Sequence, residues 1–207
     1  VQWLRHRCRL DPDFPHNRVA SIYYDTKDWQ FLREKMNSDY LKTKFRVRWY
    51  QEPGEEKPPG QAFIEVKSKI GTPRTKFRMA APYPASWFAK VPLEDLRLLD
   101  IPYSLKAQGI LLKQHLFPVF IVQYERYRFV ELVSGTRVCV DYNIGMPRVN
   151  RTMLPAANPF PLPTAVLEVK GNVESLPGIL SYLLSFNCKK TSFSKYLACY
   201  EQLRQIY

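Results

Sequence analysis

Apolar and polar residues alternate with a period of two along much of this chain, the spacing of a strand that buries one face and wets the other. The sharpest run is Lys44-Phe45-Arg46-Val47-Arg48-Trp49-Tyr50. Lys44, Arg46 and Arg48 share one face, and Phe45, Val47 and Trp49 share the other. Like charges this close repel one another unless an anion sits among them. The same alternation predicts strands over 19–25, 42–50, 62–69, 118–130, 136–144 and 165–170. A turn at Gly71-Thr72-Pro73 leads from the third of these into Lys76-Phe77-Arg78-Met79, which completes a hairpin.

Helical spacing predicts a short amphipathic helix over 27–36, carried by Trp29, Leu32 and Met36, and helices over 176–186 and 195–206. Ser194 stands at the N-cap position of the last one. Residues 82–115 read as mostly helical with breaks at Pro92 and Pro102, and residues 1–10 read as the end of a helix. The runs 11–15, 51–60 and 150–163 are rich in turn-forming residues and read as loops. The pattern gives about seven or eight antiparallel strands with helices between and after them, and no βαβ alternation. It predicts an α+β fold built round an antiparallel sheet or barrel.

Composition narrows the class. The chain has 207 residues, 45% of them apolar and 14% aromatic, as expected of a folded domain rather than a disordered one. Its formal net charge of +12 points to an anionic partner, whether nucleic acid, a phosphate compound or an anionic membrane; solubility alone is the plainer account. Cys8, Cys139, Cys188 and Cys199 form no Cys-x-x-Cys pair and no zinc-spaced set with a histidine. They read as reduced thiols of a cytoplasmic protein. His6, His16 and His115 make no cluster, and Trp3, Trp29, Trp49 and Trp87 read as packing residues. No apolar run is long enough to cross a bilayer, no signal peptide is recognised, and the sequence opens on Val1 without a methionine.

The strand cations carry the candidate chemistry. Arg46, Arg48, Lys67, Lys69, Lys76, Arg78, Arg126 and Arg128 recur on the charged faces, and Glu65, Asp141 and Glu168 are the few acids beside them. For any one strand such a face is simply solvated. Repeated on several strands, the charged faces can turn inward to form a polar tunnel, with helices over the apolar outside. Nucleic-acid binding fits less well, because the aromatics alternate away from the cations and bases cannot stack beside the phosphates.

Six motifs then resemble a known family. They are Ser21-Ile22-Tyr23-Tyr24-Asp25-Thr26, the run Lys44 to Tyr50, Glu65-Val66-Lys67, Tyr124-Glu125-Arg126, Leu167-Glu168-Val169-Lys170 and Ser192-Phe193-Ser194-Lys195-Tyr196. They occur in the order seen in the VTC domain, the catalytic domain of the vacuolar transporter chaperone polyphosphate polymerases, in the triphosphate tunnel metalloenzyme (CYTH-like) superfamily. The resemblance runs from about Val19 to Leu203 and looks closer to bacterial members than to fungal ones.

The resemblance implies an antiparallel β-barrel forming a polar tunnel, the triphosphate tunnel fold, with flanking helices and a C-terminal helix. It implies a metal-dependent transfer of the γ-phosphate of ATP to a growing inorganic polyphosphate chain. Arg46, Arg48, Lys67, Arg126 and Lys195 would be the catalytic, phosphate-holding residues, with Ser194 adding a hydroxyl and Glu168 holding Mn²⁺ or Mg²⁺. Lys69, Lys76, Arg78 and Arg128 would extend the phosphate-binding face. Lys44 is set aside, since the motif rests on the two arginines, and Asp141 reads as structural. The residue types suit the chemistry: phosphoryl transfer needs positioning and charge neutralisation more than a covalent partner. A triphosphatase on the same scaffold and a non-catalytic polyphosphate- or nucleotide-binding module are the alternatives.

Two departures stand out. The Glu-x-Glu-x-Lys motif of the superfamily is missing, with Phe63 where its first glutamate would fall. No lysine ahead of Ser21 matches the N-terminal tunnel lysine of the fungal enzymes. The expectation is therefore a single domain over 1–207 that lacks the family's first N-terminal element.

Overall fold

A computed structural model of the chain describes residues 1–55, 60–112, 114–170, 178–186 and 191–205. Part of the expected 51–60 loop, the first two residues of the expected 176–186 helix and Ile206 lie outside the described residues. The strands are β1 (Cys8–Leu10), β2 (His16–Asp25), β3 (Leu41–Gln51), β4 (Gln61–Ile70), β5 (Arg74–Pro84), β6 (Phe117–Glu131), β7 (Arg137–Gly145) and β8 (Val166–Lys170). They form one sheet in the order β5-β4-β3-β2-β6-β7-β8, every pairing antiparallel, and β1 pairs with the far end of β6. The helices are α1 (Gln2–Arg7), α2 (Gln30–Met36), α3 (Ala85–Phe88), α4 (Arg97–Asp100) and α5 (Lys195–Leu203), with 3₁₀ stretches at Ile101–Gln108 and Gly178–Phe186.

The alternation read from the sequence becomes the two faces of this sheet. Phe45, Val47 and Trp49 of β3 and Ile64 and Val66 of β4 are buried with Phe88, Leu93, Leu98, Ile101 and Leu105 from the short helices that cover them. Each large side chain buried in this way stabilises the fold by about 1.5–3 kcal/mol. A second apolar cluster on the same face joins Phe129 and Val138 to Leu4 of α1 and to Leu180 and Leu183. α1, α3, α4 and the two 3₁₀ stretches therefore lie over the apolar face, as expected, whereas α5 lies on the other face.

The charged face is not charged throughout. Its middle strip, on β2 and β6, is Val19, Tyr23, Phe120, Val122 and Tyr124. α5 packs on this strip through Tyr196, Cys199 and Leu203. Closure into a barrel is not observed: the ladder ends at β5 on one side and β8 on the other, and these two strands do not pair among the described residues. The sheet is open, and an apolar helix face occupies the strip that a uniformly polar tunnel would leave free.

Two local expectations also need correction. β5 runs on to Pro84, and residues 85–108 form only short helical pieces, because the prolines at 84, 92 and 102 each remove a backbone donor. Pro102 lies in the first turn of the 3₁₀ stretch, where its missing N–H is not needed, rather than breaking it. α2 begins at Gln30 rather than at 27, because the end of β2 caps it. Thr26 Oγ1 accepts from the Gln30 N–H at 2.9 Å, and the Asp25 carboxylate accepts from the Phe31 and Leu32 N–H groups at 2.9 and 3.0 Å.

Asp25 also receives the Tyr196 hydroxyl at 2.6 Å, which ties α5 to β2 and α2. Burial raises the pKa of Asp25, against these hydrogen bonds, which favour its charged form. Tyr196→Phe removes one hydrogen bond to a buried carboxylate and should cost about 1.5–3 kcal/mol in urea unfolding; an unchanged midpoint would mean the link carries no load.

Candidate functional site

β3, β4 and β5 form one basic wall. Their register sets Lys42, Lys69 and Arg74 in one row, Lys44, Lys67 and Lys76 in the next, and Arg46, Glu65 and Arg78 in a third. Glu65 is the acid at the centre. It is 1% exposed and takes Arg46 Nε and Nη2 at 2.9 and 2.6 Å on Oε2. Arg48 Nη1 lies 3.9 Å from the same oxygen, while Lys76 and Arg78 lie 3.9 and 3.8 Å from Oε1. Phe63, at the position of the superfamily's first glutamate, gives the Arg78 guanidinium a platform 3.7 Å from its ring centroid.

The second wall joins β6, β7 and β8 to the start of α5. Arg126 makes a two-pronged contact with Asp141, Nε to Oδ1 at 2.6 Å and Nη2 to Oδ2 at 2.7 Å. Lys195 Nζ reaches Asp141 Oδ2 at 2.5 Å. Glu168 Oε2 lies 3.5 Å from Arg126 Nη2 and 3.6 Å from Lys170 Nζ. The first turn of α5 spans the two walls: Lys195 bonds Asp141, and Ser194 Oγ accepts from Lys44 Nζ at 3.1 Å and from the Leu197 N–H at 3.5 Å. Ser194 is thus the helix cap the sequence predicts and a contact of the basic wall.

Buried tyrosines line the floor between the walls. Arg46 Nη1 donates to the Tyr23 hydroxyl at 3.2 Å, and Arg48 donates to Ser21 Oγ at 3.0 Å and to the Tyr124 hydroxyl at 3.4 Å. The Tyr124 ring also faces Arg126 and Lys195, at 5.3 and 4.9 Å. The field of the cations shows in the titrating groups. Burial opposes ionisation of Tyr23, yet Arg46, Arg48 and Lys44 together bring its pKa down to about 8. Desolvation, with Arg46, Arg48 and Lys76 adding to it, lowers Lys67 to about 8 although Glu65 opposes them and the side chain reaches solvent. Burial lowers Lys44 as well, helped by Arg46, Lys35 and Lys195. Burial works to raise Glu65, but Arg46 and Arg48 hold it at about 2.

The structure therefore brings together Arg46, Arg48, Lys67, Lys76 and Arg78 on one wall and Arg126 and Lys195 on the other, with Ser194 touching Lys44 between them. Lys69 lies one row further out, beside Lys42 and Arg74. Arg128 donates Nη1 to the Phe14 carbonyl and to Asn17 Oδ1, both at 3.1 Å, and so holds the 11–15 turn. Lys44, set aside from the sequence, belongs to the site. Tyr23, Ser21 and Tyr124 join it too; Tyr23 and Ser21 stand opposite Arg46 and Arg48 in register, and Tyr124 shares its strand face with Arg126.

The acids also indicate how a divalent metal would be held. Glu65 and Asp141 are buried and committed to cations, whereas Glu168 is 44% exposed. Among the described residues no group of three or more His, Cys, Asp or Glu side chains is placed to hold a metal. The donor set therefore suits an ion that takes one protein carboxylate and completes its shell with phosphate oxygens and water.

Surplus cations fixed by buried carboxylates thus share one antiparallel sheet face of an α+β domain. The family model for the VTC domain matches residues 2–204, and the chain belongs to that family. Domains of this family are generally catalytic and related to polyphosphate synthesis, and they generally use divalent metals. A search of the curated proteins gave no match.

Glu65→Gln removes the charge that holds the first wall, leaves buried cations unpaired, and should cost about 3–5 kcal/mol at pH 7. The folded pKa of Glu65 lies near 2, below its ordinary 4.5, so its contribution is full above about pH 4.5 and lost as pH falls toward 2. Unfolding free energies of parent and variant should converge over that window; a gap independent of pH would overturn the assignment.

Proposed function

We propose that this domain transfers the γ-phosphate of ATP to the end of an inorganic polyphosphate chain on the basic sheet face, with Mn²⁺ or Mg²⁺. The observation that carries the reading is the convergence of Arg46, Arg48, Lys67, Arg126 and Lys195, from three strands and a helix start, on one surface. Membership of the VTC family supports it. A cytoplasmic setting would supply ATP; among the described residues no helix is long and apolar enough to cross a membrane.

Arginines offer planar forks to phosphate oxygens, and Arg46, Arg48 and Arg126 are held in place by Glu65, Ser21 and Asp141. Lys67 and Lys195 add point charges that neutralise the transferring group. Lys76, Arg78 and Lys69 continue the track along the wall, and Arg128 stays a positioning contact of the 11–15 turn. Glu168 would hold the metal, which supplies charge neutralisation between phosphate oxygens when bound. A terminal oxygen of the polyphosphate attacks the γ-phosphorus. The bond from that phosphorus to the β–γ bridging oxygen breaks, and ADP leaves with the electron pair. The nucleophile is already anionic, so no side chain needs to take a proton.

Incubation of the chain with ATP and Mn²⁺, with products separated on a gel, should give ADP and long phosphate chains. Arg46→Ala should lower the rate by about 100-fold, the usual scale for one preorganised donor at a developing charge. An unchanged rate would sink the site assignment. Phosphate released from triphosphate without chains would replace the polymerase by a triphosphatase, and tight polyphosphate binding without either product would leave a binding module.

A further inference from the structure

The sheet end where β3 begins and β4 finishes exposes a group of apolar side chains that no core cluster uses. Leu41 and Ile70 are directly paired across the two strands and are 47% and 54% exposed. Tyr40, just ahead of β3, is 72% exposed, and Met36 at the end of α2 is 55% exposed. The ends of the elements that carry these side chains are held by backbone hydrogen bonds rather than frayed. The Gly71 N–H donates to the Tyr40 carbonyl at 2.9 Å, the Ile70 N–H to the Pro73 carbonyl at 3.1 Å, and the Asp39 N–H to the Glu34 carbonyl at 3.0 Å. The Tyr40 ring lies against Gly71, at φ 61°, where an added Cβ would meet a ring carbon at 2.6 Å.

Cations surround this tip. Lys42, Lys69 and Arg74 form the outermost row of the basic wall, and Lys35 lies on the last turn of α2. Asp39 is the exposed acid within the 36–42 stretch. Exposed apolar side chains at a sheet end, with cations beside them, match the two-part chemistry of an anionic bilayer: acyl boundary for the first, headgroup phosphates for the second. A protein partner fits less well, because a few apolar side chains beside cations fall short of the roughly 20–30 residues a side that a stable protein interface uses.

We propose that this end of the sheet docks on an anionic lipid bilayer, with Tyr40, Leu41 and Ile70 entering the interface and Lys42, Lys69 and Arg74 meeting headgroup phosphates. The docking surface shares Lys69 with the proposed phosphate track, but its test varies Tyr40, Leu41 and Ile70, which lie outside that track, and involves no ATP.

Co-sedimentation of the full chain with vesicles tests it. The chain should bind phosphatidylcholine vesicles that contain phosphatidylglycerol and not vesicles of phosphatidylcholine alone. Leu41→Ser combined with Ile70→Ser leaves the net charge unchanged and should weaken binding about tenfold, since two apolar side chains are lost from the interface. Tyr40→Ser, at a more exposed position, is the second variant should the pair fail to fold, and it should weaken binding in the same direction. Leu132→Ser with Val133→Ser, at the opposite end of the sheet on the β6–β7 turn, should bind as the parent does. Apolar variants that bind as tightly as the parent would reduce the effect to the attraction of a +12 chain and overturn the proposal. Failure to bind either vesicle would overturn it too, as would self-association in sedimentation velocity that the Leu41/Ile70 pair abolishes.

Discussion

Everything on the basic face depends on two buried carboxylates. Glu65 and Asp141 are 1% and 0% exposed, and each would be costly there without partners. Glu65 gathers Arg46, with Arg48, Lys76 and Arg78 close by, and Asp141 gathers Arg126 and Lys195. The cations outnumber the acids on both walls, so the carboxylates fix the geometry without cancelling the field. The residual field brings Tyr23 to about 8 against the effect of burial, and it adds to the desolvation that brings Lys67 to about 8. On the proposed reading such a face would meet phosphates with its side chains already oriented, which is where phosphoryl transfer draws its catalytic advantage.

α5 links the two walls. Its apolar side settles on the β2–β6 strip, Tyr196 bonds Asp25, and its first turn then delivers Ser194 to Lys44 and Lys195 to Asp141. One short helix therefore contributes to the core, positions a catalytic candidate and sets the separation of the walls. Tyr124 beneath it touches cations from β3, β6 and α5.

The strands were legible because period-two patterning survives wherever one face is buried, as in Lys44 to Tyr50. The candidate cations follow from the same patterning and the six motifs, and the structure gathers Arg46, Arg48, Lys67, Arg126 and Lys195 on one face. What escaped depends on register and long-range packing. Glu65 facing Arg46 across the β3–β4 pair follows from a register that local pattern does not set. Lys44 joins the site through Ser194, which lies 150 residues away in sequence, a contact that no local pattern signals. The barrel follows from the family resemblance and from charged faces turned inward; it leaves out that Tyr23, Phe120, Val122 and Tyr124 make an apolar strip on that face, which α5 covers. Residues 82–115 misled because apolar spacing outweighed the prolines.

On the proposed reading the two walls act together as one polyphosphate-binding face. Titration calorimetry of the full chain with tripolyphosphate and with orthophosphate, at low and high salt, tests it most directly. The account predicts that tripolyphosphate binds at least about 100-fold more tightly than orthophosphate, because one ligand engages both walls, and that the preference shrinks with salt. It also predicts that Arg46→Ala on one wall and Arg126→Ala on the other each weaken tripolyphosphate far more than orthophosphate. Equal affinity for the two ligands, or indifference of tripolyphosphate to either substitution, would contradict it.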